Sequence, residues 1–286
     1  MSNAVIVKNL KKSYKDFSLK GIDLEIPKGS VFGLIGENGA GKSTLINSLL
    51  GLTNASYDTL NFFGKGFNQY QKEIKENIAV IFDQTHFDLE FTPAIIAKIM
   101  SKVYKSWGSE KYFQLLEEFN LPKNKKLKDF SRGMKMKLEF AVAFSHDTKL
   151  LILDEATSGL DPVFRNEILD ILQDYSENEE NTILISSHIT SDLDKIADYI
   201  GFIHEGEIMF VKSYEDIREN YGIVRCGKRM FESLHENDVV AYREDDYAYN
   251  ILVNNKYDIR RNIEGLVVEN ATLEDIMLFM VKGEKL

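Results

Sequence analysis

The stretch Gly36-Glu37-Asn38-Gly39-Ala40-Gly41-Lys42-Ser43-Thr44 decides the fold of this chain. It matches the phosphate-binding pattern G-x-x-x-x-G-K-[ST]. Before it stands the apolar run Ser-Val-Phe-Gly-Leu-Ile at 30–35, which reads as a strand, and after it residues 43–50 read as a helix. The glycines let backbone N–H groups turn inward around an anion without a Cβ in the way. The helix that follows points its positive end at the same oxygens. Lys42 can reach the β- and γ-phosphates of a nucleotide, and the Ser43 hydroxyl can ligate Mg2+.

Working outward, Leu150-Leu151-Ile152-Leu153-Asp154-Glu155 is a buried strand with two carboxylates at its end. Asp154 suits the metal, directly or through water, and Glu155 suits orienting or deprotonating an attacking water. Further strand candidates lie at 78–82, 182–186 and 200–203, and apolar-rich segments at 5–7 and 22–26 precede the phosphate loop. The largely continuous apolar character of the later strands predicts an α/β sheet covered on both faces. Between 84 and 149 the pattern becomes helical. Ile95, Ile96, Ile99, Met100 and Val103 recur at helical spacing, as do Tyr112, Phe113, Leu116 and Phe119, so an inserted helical subdomain is expected at about 85–149. The lysine-rich segment 123–128 reads as a solvated loop.

The last ~70 residues are organised differently, as a small α+β appendage of a size that ordinary domains permit. Segments 239–243 and 247–253 flank Glu244-Asp245-Asp246, which predicts a hairpin. Thr272, with Asp275 three residues on, predicts the N-cap of a terminal helix.

Composition narrows the class. The 286 residues are 44% hydrophobic and 28% charged, a globular recipe. The net charge of −10 disfavours broad nucleic-acid binding, and no nucleic acid is expected as a partner. Cys226 is the single cysteine, which excludes an internal disulfide framework and a multi-cysteine metal site. Residues 1–10 show no secretory signal, and no stretch approaches the ~18 uninterrupted apolar residues of a membrane span. A cytoplasmic chain is expected.

Three further segments refine the reading. Phe130-Ser131-Arg132-Gly133-Met134 precedes the carboxylate pair, and Ser158-Gly159-Leu160-Asp161 and Ser186-Ser187-His188 follow it. The ordered set resembles the nucleotide-binding subunits of ABC (ATP-binding cassette) transporters over about residues 3–212. The resemblance implies an ATPase domain at 1–212 and an accessory region at 213–286. It implies ATP and Mg2+ as cofactors, with Asn38, Gly39, Ala40, Gly41, Lys42, Ser43 and Thr44 in the phosphate cradle. It places Tyr14 against adenine and Gln84 where Mg2+, the attacking water and the membrane partner are sensed. It makes His188 a switch residue at the γ-phosphate and Asp161 a contact across a dimer interface. Ser131 and Gly133 would meet the γ-phosphate held by the other subunit, so that two ATP are sandwiched head to tail in a homo- or heterodimer. Ser43, Gln84 and Asp154 form the implied metal set, and Glu155, His188 and Gln84 the implied catalytic set.

The family signature is usually Leu-Ser-Gly-Gly-Gln, and three of its five positions differ here, with Arg132 placing a long cation where glycine is common. The Ser-Arg-Gly-Met form is similar to that of bacterial exporters of peptides, toxins and drugs. The expected function is therefore an ATPase subunit, peripheral on the inner face of the cell membrane, that powers a separate transmembrane permease. Residues 87–104 would offer that permease a groove. A soluble ABC-type assembly factor or regulatory clamp is the alternative.

Overall fold

The computed structural model describes residues 2–245, 248–262 and 266–285. Two long strands open the chain, β1 (Asn3–Ser13) and β2 (Ser18–Pro27). They pair antiparallel, and β2 buries every second or third residue, including Leu24 and Ile26, so that one face meets the core. The next strand, β3 (Val31–Ile35), is buried along its whole length and delivers the phosphate loop to α1 (Lys42–Leu49). Then come β4 (Thr59–Phe62), the two-residue β5 (Lys65–Gly66), α2 (Phe67–Glu76) and β6 (Ile78–Phe82).

No strand lies between β6 and residue 149. The helices there are α3 (Pro93–Val103), α4 (Ser109–Glu118) and α5 (Arg132–Ala143). Thr92 caps α3 and Pro93 occupies its first turn, where a missing N–H costs nothing. The lysines of 123–128 lie on the surface, where Lys123 pairs with Glu117, and Lys126 and Lys128 both pair with Glu90. They are a solvated face, as expected.

Strand β7 (Leu150–Asp154) returns to the centre and is followed by α6 (Pro162–Ser176), β8 (Thr182–Ser187), α7 (Thr190–Ile196), β9 (Tyr199–His204) and β10 (Glu207–Ser213). The central sheet has the order β10-β9-β3-β8-β7-β6, parallel except for β10 at its edge. The period of two assigns each face. Leu150, Ile152, Leu184, Phe32 and Leu34 point to a core shared with β1, β2 and α1. Leu151, Leu153, Ile183, Ile185 and Ile35 point to a core shared with the helices of 93–172. A second sheet, β2-β1-β4-β5, covers the first of these faces.

Beyond β10 the chain forms α8 (Tyr214–Asn220), β11 (Gly222–Cys226), α9 (Lys228–Phe231), β12 (Val239–Asp245), β13 (Ala248–Val253), α10 (Lys256–Asn262), β14 (Val268–Asn270) and α11 (Leu273–Lys282). Its sheet is antiparallel, with the order β12-β13-β11-β14. The expected hairpin strands pair, while residues 246 and 247, the last of the expected turn and the first of the expected second strand, lie outside the described residues. Thr272 caps α11 in a reciprocal capping box with Asp275. Leu273, Ile276 and Phe279 of α11 share one buried cluster with Leu193 and Ile200 of the central layers, so the last helix is packed onto the body that carries the phosphate loop rather than tethered beside it.

Strands β4 and β10 were not legible in the sequence. The first has only four residues, too few to show a period, and β10 is an edge strand whose residues alternate between exposed and half-buried.

Candidate functional site

Adjacency in the parallel sheet assembles the site. Ile35 pairs with Ser187 and Asp154 with Ser186, so the ends of β3, β7 and β8 lie side by side beneath the loop that leads into α1. Ligands of α/β sheets bind outside these carboxyl ends. Gly41, at the N-cap of α1, has φ +114°, a conformation that L side chains rarely adopt. A Cβ there would stand 2.7 Å from Phe17 Cζ, so a substituted loop could not lie against the β1–β2 turn.

Lys42 is 5% exposed. Its ammonium donates to the Gly36 carbonyl at 2.8 Å and the Glu37 carbonyl at 3.1 Å, and pairs with Glu155 Oε1 at 3.0 Å. The other oxygen, Glu155 Oε2, accepts from His188 Nδ1 at 2.5 Å. One carboxylate thus bridges the cation of the phosphate loop and the imidazole after β8. Glu155 itself has φ +53°, a left-handed conformation that costs a non-glycine residue roughly 1–3 kcal/mol. Its N–H donates to both the Ser186 hydroxyl and the Ser186 carbonyl at 3.2 Å, which holds the turn and aims the carboxylate across the loop.

Asp154 is 7% exposed, and its Oδ1 accepts from Ser186 Oγ at 2.6 Å and from Ser43 Oγ at 3.1 Å. A hydroxyl and a carboxylate meeting at one point are an all-oxygen donor set, which fits a hard cation. Among the described residues no group of three or more His, Cys, Asp or Glu side chains could hold a metal by itself. A cation at Ser43 and Asp154 would complete its shell with phosphate oxygens and water, the habit of Mg2+ rather than of a caged metal.

A cavity of about 930 Å³ opens over these groups, within the size range of small-molecule sites. Asn38, Gly39, Gly41, Lys42, Ser43, Thr44, Glu155 and His188 line it. Tyr14 borders it and an adjoining cleft to which Ala40 contributes. Tyr14 is 49% exposed, so its ring is a surface available to a ligand and not a piece of core.

Four residues of the sequence expectation stand elsewhere. Gln84 is exposed on the turn after β6, and the residue of that turn that lines the cavity is its neighbour Asp83. Ser131 caps α5, its Oγ accepting from the Met134 N–H at 3.2 Å, and Gly133 packs beside Phe164. Asp161 caps α6, its Oδ1 accepting from the Phe164 N–H at 3.0 Å. None of these four lines the cavity of its own chain.

Sequence reading singles out His188 from Ser186-Ser187-His188 and passes over Ser186, which donates to the Asp154 carboxylate and accepts from the Glu155 N–H; a small hydroxyl at a strand end carries no signal until β7 and β8 are paired. It also passes over Thr85 and Glu139. Thr85 Oγ1 donates to Glu139 Oε1 at 2.5 Å, tying the turn that carries Asp83 and Gln84 to the middle of α5. Burial raises the Glu139 carboxyl to about 7, and the hydrogen bond from Thr85 offsets part of that rise.

Comparisons with known proteins bear on the family and the fold. The profile of the family described as "ABC transporter" matches residues 19–158. The chain is 36% identical over 212 residues to the lantibiotic transport ATP-binding protein SrtF of Streptococcus pyogenes, covering 73% of this chain and 90% of that protein. It is also 36% identical over 214 residues to the bacitracin transport ATP-binding protein BcrA of Enterococcus faecalis, covering 73% and 69% respectively. Among solved structures it is similar to cbiO1 from Clostridium perfringens, part of the ABC transporter complex cbiONQ. The TM-score is 0.63 at 25% identity, over 76% of this chain and 91% of that one.

Proposed function

The chain belongs to the ABC transporter family as an ATP-binding, ATP-hydrolysing subunit, and from that premise we propose that two such subunits close around two ATP and drive a separate membrane permease. The observation that carries the hydrolytic part is the carboxylate of Glu155, which spans Lys42 and His188 at the mouth of one cavity. Residues 1–212 form the ATPase unit in this reading, with 85–149 as its helical part and 213–286 as an accessory region.

The phosphate-loop N–H groups and Lys42 hold the β- and γ-phosphates, and the exposed Tyr14 ring takes the adenine face. Mg2+ bound at Ser43 and Asp154 would neutralise charge on the phosphates. A γ-phosphate competes with Glu155 for the Lys42 ammonium, so nucleotide binding frees that carboxylate to orient water and accept its proton. His188 keeps Glu155 aimed and contacts the γ-phosphate. Ser131, Gly133 and Asp161, which stand away from the cavity of their own chain, meet the nucleotide or the opposing surface of the second subunit. Gln84, exposed on its turn, joins the site as that turn moves.

The permease would seat on the helical segment at 87–104, where Leu89, Ile95 and Val103 are exposed. No helix among the described residues is long and apolar enough to cross a membrane; in this reading the permease supplies the spans. The relatives named for lantibiotic and bacitracin transport support peptide or drug export as the process that is powered.

The test is expression of the chain with its neighbouring reading frames, followed by purification. Co-purification with a polytopic membrane protein and ATP turnover in that complex are expected. Glu155→Gln should bind ATP, hydrolyse it slowly and accumulate as a nucleotide-bound dimer. A stable complex with soluble partners alone would refute the transport reading.

A further inference from the structure

Arg132 departs from the glycine common at its position, and its side chain has a defined place. It is the first residue of α5, immediately after the cap Ser131. Its Nη2 donates to the Ser158 carbonyl and its Nη1 to the Gly159 carbonyl at 3.5 Å. Among the described residues it makes no ion pair. Gly159 has φ +67°, and a Cβ on it would stand 2.5 Å from Arg132 Nη1, so the guanidinium fills the space that a side chain at 159 would need.

The turn held in this way begins at Glu155. Within the turn Ser158 N–H donates to the Glu155 carbonyl at 3.1 Å and Leu160 N–H to the Thr157 carbonyl at 3.4 Å; Ala156, Thr157 and Leu160 are buried and Arg165 Nη2 reaches the Leu160 carbonyl at 3.5 Å, which leaves the carbonyls of 158 and 159 to Arg132. At its far end Asp161 caps α6. A short turn carrying a left-handed glutamate at its start has little internal reason to keep one conformation. The planar fork of an arginine holds two successive carbonyls with donors of fixed spacing, whereas a lysine presents a single ammonium on a flexible stem.

We propose that Arg132 is a positioning residue for ATP hydrolysis, locking the turn at 156–161 to the start of α5 and thereby holding Glu155 in its aimed conformation. This role rests on the hydrolytic reading of Glu155. Ser131 adjoins Arg132, so the turn that faces the partner subunit and the carboxylate that activates water in this one become parts of a single body. The work is done by donor geometry, because both acceptors are neutral carbonyls.

Hydrogen exchange of the full chain and steady-state turnover, in the permease complex where it is obtained, test the proposal together. Arg132→Ala should speed exchange of the amides at 156–161 at least several-fold, leave binding of a non-hydrolysable ATP analogue within about twofold, and lower kcat roughly 10- to 100-fold, the loss expected of a misplaced catalytic group. Arg132→Lys, which keeps the charge and most of the reach but not the planar fork, should recover only part of the exchange protection and of kcat. Unchanged exchange in Arg132→Ala would overturn the proposal whatever happens to turnover. So would full rescue of both by Arg132→Lys, which would make the positive charge and not the planar fork the active feature. ATP-dependent dimerisation of Glu155→Gln is measured beside these, and its failure would sink the two-subunit reading while leaving the exchange result to stand.

Discussion

Replacing Glu139 by glutamine removes a titration from the interior of the helical layer without removing its hydrogen bond. Glutamine keeps an Oε1 to accept from Thr85, so the tie between α5 and the turn after β6 survives. The carboxyl titrates at about 7 in the folded chain because burial disfavours its charge, with Thr85 favouring the ionised form only in part. In the unfolded chain it titrates near 4.3. At pH 4 the group is mostly protonated in both states and its ionisation contributes nothing against folding. Between about 4.5 and 7 the unfolded chain releases a proton that the folded chain keeps, so folding loses stability as pH rises, and the loss levels off above 7. A gap of this size corresponds to about 4 kcal/mol in full, of which about 3 kcal/mol develops between pH 4.5 and 8.5. Chemical denaturation of wild type and Glu139→Gln at pH 4.5, 6, 7 and 8.5 checks it. The stability difference should grow in favour of the variant by about 3 kcal/mol across that range and then stop growing, while every other titrating group cancels in the subtraction. Parallel pH profiles for the two proteins would refute the reasoning and show that the Glu139 carboxyl is solvated in the folded chain.

Three more outcomes follow from the geometry. Lys42→Ala removes a charged donor from the phosphates and should weaken ATP binding roughly 10- to 100-fold, read by calorimetric titration, since hydrogen bonds to charged groups are worth about 1.5–3 kcal/mol each. Ser186→Ala deletes the 2.6 Å bond to Asp154 and one acceptor for the Glu155 N–H; it should cost about 1–3 kcal/mol in denaturation and raise the Mg2+ concentration needed for half-maximal turnover. Thr272→Ala deletes the hydroxyl that accepts from the Asp275 N–H and leaves the reciprocal bond from its own N–H to the Asp275 carboxylate, so a loss of about 1 kcal/mol in thermal or chemical unfolding is expected, with ATP affinity unchanged.

Much of the site was legible because its largest piece is local. The phosphate loop is nine consecutive residues between a strand and a helix, and the chemistry that requires glycine, lysine and serine there is satisfied by chain neighbours. Asp154 and Glu155 were legible for a similar reason, as polar residues that break an apolar run at its end. Ile78–Phe82 reads as a strand and is one, because a run buried on both faces must be apolar throughout. Gln84 shows the limit. Position after a strand places a residue on a turn, but the direction of its side chain depends on dihedral angles that spacing does not encode, and it is Asp83 that lines the cavity.

What the sequence by itself determined is therefore the set of local instruments: the anion-binding loop, the buried strands, the helical insertion, and the caps of its helices, such as Thr272. What only the tertiary structure decided is which of them meet. Residues 42, 155 and 188 are joined through one carboxylate because β3, β7 and β8 are neighbours in register. Arg132 reaches Ser158 and Gly159, and Glu139 reaches Thr85, across more than twenty-five residues of chain. Side-chain contacts at that separation are fixed by how layers pack, and packing is a property of the whole core, which no window of sequence contains.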